Sequence, residues 1–252
     1  LDVSARFLIP AITAHSDKDE RNRVLDAFAA GRIRALAACT PAEASLIRRV
    51  FAGKNVTEAD FAALGYLVGK LAGDGVPLLR LRSGPPDLGD SSDLLRSAYV
   101  PHLKALGAAV ASSGAVGLYH IADVTPEARA RGDLVAPGAV HVVLDDLAPG
   151  YGALNAAGAE VDLVSLGCPH ASLDELTQVA EYLKGRRVKA DLWITSARAT
   201  LEEARRRGLW DALVEAGAQL MADTCLVVAP MSHYPYRVVA TNSAKMAIYA
   251  PG

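Results

Sequence analysis

Two of the three cysteines in the chain stand in polar segments that directly follow apolar runs. Cys168 lies in SLGCPHASLDEL and Cys225 in MADTCLVVAP, whereas Cys39 lies upstream in ACTP. A cysteine in such a segment is a small buried residue, a nucleophile or a metal ligand. The wide spacing of Cys168 and Cys225 matches no compact zinc motif, so a shared metal would have to be assembled by the fold.

The residues after Cys168 strengthen the case for a functional thiol. Ser172 and Glu175 form an SLDE capping box, which predicts that a helix begins just behind Cys168. The amino end of a helix favours the thiolate, the form of cysteine that binds a metal or attacks carbon. His170 is a candidate general base, an orienting group or a helix-start residue. A nucleophile built from Cys168 and His170 therefore stays open beside a metal site.

Further polar residues follow other apolar runs in the second half of the chain. They are Thr195, Ser196 and Arg198 after DLWI, Thr224 before Cys225, and Asn242, Ser243 and Lys245 after VVAT. The guanidinium of Arg198 can grip a carboxylate with two hydrogen bonds. Lys245, near the start of a helix, opposes the helix dipole. It is therefore either a solvated lysine or a cation that holds an anionic substrate group.

Apolar runs of strand length alternate with helical periodicity from about residue 114 onwards. The clearest unit is VDLVSLG, then the helix in SLDELTQVAEYLKG, then ADLWIT. Strands that alternate with helices of this length form parallel β-α-β units, so we predict an α/β fold with a parallel sheet flanked by helices. Ligands of such sheets bind beyond the carboxyl ends of the strands, where the polar residues named above should meet.

The first part of the chain has a different pattern. DKDERNRVLDAFAAGRI and TPAEASLIRRVFAGKN have apolar residues at three- and four-residue spacing, which predicts two short amphipathic helices. We therefore separate a helical N-terminal segment, residues 1–56, from an α/β domain over residues 57–252. The α/β domain opens with a helix that is capped by Thr57 and ends near Gly73.

Charge and hydropathy exclude several classes of protein. The net charge is −2, from 26 Lys and Arg against 28 Asp and Glu, so no overall positive field attracts nucleic acid. No apolar run reaches the roughly 20 residues that a membrane-spanning helix needs. The N-terminus lacks the layout of a signal peptide. We expect a cytoplasmic protein with free thiols and without nucleic-acid or membrane partners.

Three of the segments carry a family resemblance. VDLVSLGCPHASLDEL, MADTCLVVAP and VVATNSAKMAIYAPG, in this order, resemble the signatures of the aconitase X large subunit. ADFAALGYLVGKLAGDGVPLL and SGAVGLYHIADVTPEA resemble upstream segments of the same family, so the resemblance covers residues 57–252. It implies an iron-dependent hydro-lyase that dehydrates a small hydroxylated acid, such as a cis-3-hydroxyproline or a phosphorylated mevalonate.

The resemblance also implies roles for individual residues. Cys168 and Cys225 would be ligands of an iron ion or an iron–sulfur cluster, with Cys39 as a third ligand. A small swivel-domain subunit would complete the site around the hydroxy-acid substrate. The remaining candidates are Ser243, Lys245 and His170 for catalysis, and Asn242, Ser196, Arg198 and Thr224 for substrate binding.

The surroundings of Cys39 depart from the family pattern. The Cys39-Thr40-Pro41 tripeptide is present, but the residues expected after it are not recognisable, and it lies closer to LGYLVGK than the family pattern would place it. An alternative is therefore a relative without the cluster, which acts as a binding or partner subunit or catalyses different chemistry on the same scaffold.

Overall fold

The fold consists of parallel strands and helices in two successive units. The computed structural model describes residues 43–46, 57–81 and 100–250, without positions 123, 132, 143, 145 and 157–159. The strands are β1 (Glu43–Leu46), β2 (Leu78–Leu81), β3 (His120–Ile121), β4 (His141–Val142), β5 (Leu163–Ala171), β6 (Asp191–Ser196), β7 (Ala218–Ala222) and β8 (Val239–Thr241). The α-helices are α1 (Glu58–Ala72), α2 (Val100–Gly114), α3 (Pro126–Ala130), α4 (Ala148–Leu154), α5 (Leu173–Leu183), α6 (Arg198–Arg206), α7 (Leu209–Glu215) and α8 (Ala244–Tyr249). Two 3₁₀-helices, Leu226–Val228 and Met231–His233, precede β8.

Each unit contains one parallel sheet. The N-terminal unit, residues 43–154, has the strand order β3-β2-β1-β4, and the C-terminal unit, residues 160–250, has the order β7-β6-β5-β8. All pairings within both sheets are parallel. The predicted α/β class with helix-flanked parallel strands is confirmed, with two sheets in place of one.

Helix α1 begins and ends where its local sequence predicts. The Thr57 side chain accepts a hydrogen bond from the Asp60 backbone N–H, and the Asp60 carboxylate accepts one from the Thr57 N–H at 2.8 Å. This reciprocal pair satisfies two backbone donors that the first helical turn leaves free. The chain leaves the helix at Gly73, whose φ of 61° favours glycine.

Helices α1 and α2 pack at unusually close range because small residues line their contact. A Cβ atom on Gly69 of α1 would lie 2.7 Å from the Val110 carbonyl oxygen, and one on Gly114 of α2 would lie 1.8 Å from the Gly69 carbonyl oxygen. The adjoining core contains Leu64, Leu106 and other fully buried apolar side chains. The two helices therefore form a tightly packed pair.

Small apolar residues also join the two units. Ala62 of α1, Ala109 of α2 and Ala244 of α8 form one buried cluster. Helix α8 follows the last strand of the C-terminal unit, so this contact places the end of β8 beside α1 and α2. The boundary between the units thus lies next to the carboxyl ends of the C-terminal sheet.

One predicted helix of the N-terminal segment is wrong where the structure describes it. The pattern over residues 40–55 predicts an amphipathic helix, but Glu43–Leu46 is a strand that pairs with β2 and β4. Pairing with two strands that are distant in sequence outweighs the local preference of these four residues. The other predicted helix, before residue 40, lies outside the described residues.

No helix in the described part of the chain is long and apolar enough to cross a bilayer.

The close contact of α1 and α2 predicts the effect of adding one methyl group. Gly114→Ala should lower the free energy of unfolding by about 1–3 kcal/mol, because the new Cβ would clash with backbone atoms of Gly69. Gly152→Ala is the matched control, because a Cβ there meets no atom within 4 Å, and it should be neutral or stabilising by up to about 1 kcal/mol. Equal thermal midpoints for the two variants would contradict the packing described here.

Candidate functional site

The site is built around an irregular end of β5. Pairing between β5 and β6 is regular up to Leu166 and resumes at Ala171 after a shift of register. Between them, Gly167 has a φ of 96°, and a Cβ there would lie 2.0 Å from the Thr195 carbonyl oxygen. The Cys168–Pro169 peptide bond is cis. Glycine is required at position 167 because the chain turns against β6 with no room for a side chain.

Cys168 is buried within a cluster of functional groups from three segments. Its side chain is 4% exposed. It lies close enough to Lys245, Ser243 and Cys225 for all three to influence its pKa. Cys225 is partly buried and, like Cys168, is a free thiol. The structure therefore brings together both predicted cysteine ligands of the described region and two of the predicted catalytic residues.

The thiol of Cys168 is less acidic than its sequence context predicts. Burial raises its pKa, and the neighbouring Cys225 thiol raises it further, against the opposing effects of the Lys245 ammonium and a hydrogen bond with Ser243. The prediction of a lowered pKa is wrong because α5 begins only at Leu173, beyond the buried thiol. A neutral thiol is the favoured form in the absence of another partner.

The segment after β8 lies near Cys168, and within it Ser243 caps helix α8. The Ser243 hydroxyl accepts a hydrogen bond from the Met246 backbone N–H at 3.1 Å and so caps the helix. Met246 and Ala244 are buried, so the first turn of α8 is fixed against the protein. Lys245 lies in that turn and is partly exposed. Its ammonium is thus positioned near the thiols at the edge of the site.

His170 connects the two cysteine segments. Its Nε2 atom lies 2.9 Å from the Thr224 carbonyl oxygen, and since a carbonyl only accepts, Nε2 donates this hydrogen bond. Thr224 thus enters the arrangement through its backbone, directly before Cys225. The contact orients the His170 ring and ties the end of β5 to the turn after β7.

Two of the predicted substrate-binding residues have other partners. The Arg198 backbone N–H and Nε atom donate to the Asp223 carboxylate at 2.9 and 3.1 Å. The Ser196 side chain is fully buried, and its hydroxyl donates to the Ala171 carbonyl oxygen at 2.5 Å. Arg198 is exposed and keeps further N–H groups, whereas Ser196 has the geometry of a strand-bridging residue. Their substrate-binding roles stay predictions.

A cavity of about 400 Å³ lies at the boundary between the two units. Its apolar wall includes Leu166, Ile194 and Val179 of the C-terminal unit. A narrow crevice beside it shares Glu58, Glu175 and the exposed Asn242 with the cavity. The residues that line the crevice include Glu58, Lys104, Cys168, Pro169, Glu175, Asn242 and Ser243. The crevice therefore leads from the cavity to the thiol.

The sequence analysis missed three charged residues of this crevice as parts of the site. The Lys104 Nζ atom donates to the Glu175 carboxylate at 2.5 Å and to the His170 carbonyl oxygen at 2.9 Å. Burial raises the pKa of Glu58, and the adjacent Glu175 carboxylate raises it further, against Lys104 and His102. Glu58 has the pattern of a first-turn acid and Lys104 that of a solvated helix residue, so local sequence carried no signal.

The two thiols in the described part of the chain fit part of a metal site. Two free thiols meet at Cys168 and Cys225, and soft thiolates suit iron or an iron–sulfur cluster. Among the residues that the structure describes, no group of three or more His, Cys, Asp or Glu side chains could hold a metal ion. Cys39, the predicted third ligand, lies outside the described residues. The described region thus offers two neighbouring thiols that a soft metal could use.

These features define an α/β protein with a candidate small-molecule site at the carboxyl ends of a parallel sheet. The family model described as "Aconitase X second domain" matches residues 43–148, and the one described as "Aconitase X third domain" matches residues 161–252. The chain belongs to the aconitase X family. The two family domains correspond to the two units of the structure.

The chain is also similar to individual members of this family. It is 39% identical over 198 residues to the phosphomevalonate dehydratase large subunit of Methanothermobacter thermautotrophicus, which covers 79% of the chain and 46% of that relative. It is 35% identical over 208 residues to the cis-3-hydroxy-L-proline dehydratase of Hypocrea jecorina, covering 79% of the chain and 33% of that relative.

A solved structure supports the same relationship. The holo-form of Thermococcus kodakaraensis aconitase X has a TM-score of 0.66 and 32% identity, covering 83% of this chain and 50% of that one. The chain spans about half the length of the phosphomevalonate dehydratase large subunit that it matches.

The charge interaction between Lys245 and Cys168 predicts a change in thiol reactivity. Lys245→Met should slow alkylation of Cys168 at neutral pH by up to about tenfold, because loss of the ammonium raises the pKa of the thiol further and lowers the thiolate fraction. Peptide mapping by mass spectrometry after timed iodoacetamide treatment measures each cysteine separately. The exposed Lys189→Met is the control, and an unchanged Cys168 rate in Lys245→Met would contradict the interaction.

Proposed function

We propose that the chain is part of a hydro-lyase that removes water from a small hydroxylated carboxylic acid. The observation that carries this proposal is the convergence of Cys168, Cys225, Ser243 and Lys245 at one edge of the C-terminal sheet. The names of its relatives, a phosphomevalonate dehydratase large subunit and a cis-3-hydroxy-L-proline dehydratase, support dehydration as the reaction.

In this proposal Cys168 and Cys225 hold an iron ion or an iron–sulfur cluster. Their burial and mutual contact suit thiolate ligation, and Cys39 is the proposed third ligand. Bound iron with an open coordination position supplies Lewis-acid assistance to the departure of the substrate hydroxyl. Thiolate ligands also fit a reducing compartment such as the cytoplasm.

In the proposed reaction, residues of the chain bind the substrate and accept the proton that is removed from it. Lys245 holds the substrate carboxylate, since its ammonium lies beside the thiols, and Asn242 provides an amide at the mouth of the crevice. Removal of the proton next to a carboxylate needs an acceptor within hydrogen-bond reach. Ser243 and His170 are the candidates, and the bond from His170 Nε2 to Thr224 leaves its Nδ1 atom for that role.

A second polypeptide is part of the proposal. The archaeal relatives are named as large subunits. The cavity at the boundary of the two units provides a surface that a small subunit with a swivel domain can close. Closure would exclude water from the cavity, which strengthens the charge interactions of Lys245 with a bound carboxylate.

A second candidate function is a family member that lacks the metal and binds a hydroxy acid without dehydrating it. The observation that favours it is the sequence around Cys39, which departs from the family pattern. A cysteine nucleophile is less well supported, because burial raises the pKa of Cys168.

Iron content and dehydratase activity test the proposal together. Cys168→Ser and Cys225→Ser should each abolish iron binding after anaerobic purification, because each removes a thiolate ligand, and both should lose water elimination from the hydroxy acid. Metal analysis and the ultraviolet absorbance of the unsaturated product are the measurements.

Cys39→Ser separates the two candidate functions. Loss of iron in this variant at an unchanged thermal midpoint identifies Cys39 as a ligand of the dehydratase. A wild-type chain that binds the hydroxy acid but takes up no iron and eliminates no water would refute the hydro-lyase and support the binding protein.

A further inference from the structure

Lys104 connects the two units within the crevice that also contains Cys168. It lies on α2 of the N-terminal unit, yet its ammonium donates hydrogen bonds to two groups of the C-terminal unit, the His170 carbonyl oxygen and the Glu175 carboxylate. Its side chain is 23% exposed and that of Glu175 is 12% exposed. A pair that is this far removed from water is less screened than a surface ion pair, so its loss has a larger effect.

The two partners lie at the two ends of one turn. His170 belongs to the irregular end of β5, two residues after Cys168, and Glu175 belongs to the first turn of α5. Glu175 also accepts a hydrogen bond from the Ser172 backbone N–H at 2.7 Å. One ammonium group therefore binds both sides of the turn 170–175, which connects the thiol-bearing segment to its helix.

The acidic groups around Lys104 favour a cation at this position. Glu58 forms a hydrogen bond with Glu175, and burial together with the Glu175 charge raises the pKa of Glu58, against the Lys104 ammonium. Lys104 is thus the cation that this acidic pair shares in the crevice that also contains Cys168. Without the ammonium, the Glu175 carboxylate would lose its contact with α2, and the His170 carbonyl oxygen would lose its donor from the same group.

Packing of the two units against each other does not by itself explain the contacts of Lys104. The apolar cluster of Ala62, Ala109 and Ala244 already packs the two units together. A lysine that served only to pack the units together would not need to bind the backbone carbonyl of His170, two residues after Cys168.

We propose that Lys104 is a positioning residue that holds the turn 170–175 across the unit boundary, and thereby fixes Cys168 and His170 in the site. The catalytic part of this proposal rests on the proposed dehydratase function. The geometric part, which concerns the position of the Cys168 segment, does not, because it depends only on contacts within the chain.

The geometric statement is tested on the metal-free full chain. Lys104→Met keeps most of the side-chain volume and removes the charge. Alkylation of Cys168 should then become about tenfold faster, which corresponds to about 1.4 kcal/mol lost from the closed arrangement of the turn. Cys225 should change much less. Lys104→Arg, which keeps the charge, should restore a slow rate, and the exposed Lys70→Met should behave as wild type.

Glu175→Gln provides a second route to the same contact. Glutamine can still form the capping box with Ser172, so α5 should keep its start while the ion pair is lost. This variant should also expose Cys168, and it decides the question if Lys104→Met does not fold. Unchanged Cys168 reactivity in a folded Lys104→Met or in Glu175→Gln would overturn the proposal. Equal acceleration at Cys168 and Cys225 would also overturn it, because that indicates general loosening.

The catalytic statement has a separate readout. In the iron-loaded assembly, Lys104→Met should lower kcat at least about tenfold with little change in KM, and Lys104→Arg should recover part of the loss. An unchanged kcat together with faster alkylation would refute the catalytic role and keep the geometric one. A wild-type chain without dehydratase activity would refute the proposed function, while the alkylation result would still decide whether Lys104 positions the turn.

Discussion

The parallel pairing of β5 with β6 on one side and β8 on the other is the constraint on which the site depends. Ser165 of β5 is in register with Trp193 of β6 and with Thr241 of β8. Because parallel strands run in the same direction, their carboxyl ends lie at one edge of the sheet. Segments that are far apart in sequence therefore meet there, and β7, paired to β6, adds the turn that carries Cys225.

At this edge of the sheet, burial and charge have opposite effects on the pKa of Cys168. The thiol of Cys168 is removed from water, which favours its neutral form, while Lys245 and Ser243 favour the thiolate. A thiol of this kind gives up its proton when a cation replaces it, so metal binding and deprotonation are coupled. The ammonium of Lys245 would offset part of the negative charge if both thiols lost their protons in this position.

Sequence reasoning succeeded where a feature depends on neighbouring residues. The N-caps Thr57, Ser172 and Ser243 were predictable because a capping side chain bonds to backbone two or three positions away. The apolar strands and the polar residues at their ends followed from the same local pattern. Strand β1 was missed because it is defined by two distant partners. The pKa of Cys168 was misjudged because burial is a property of the assembled core.

The double contact of Glu175 restricts how the two units can be exchanged between proteins. This side chain caps α5 within its own unit and binds Lys104 of the other unit. Glu58 and Lys104 belong to one unit and Glu175 to the other, so a chimera that takes one unit from a relative keeps the ion pair only if that relative has matching residues. The junction of such a chimera is therefore electrostatic as well as covalent, and the residues at positions 58, 104 and 175 have to match across it.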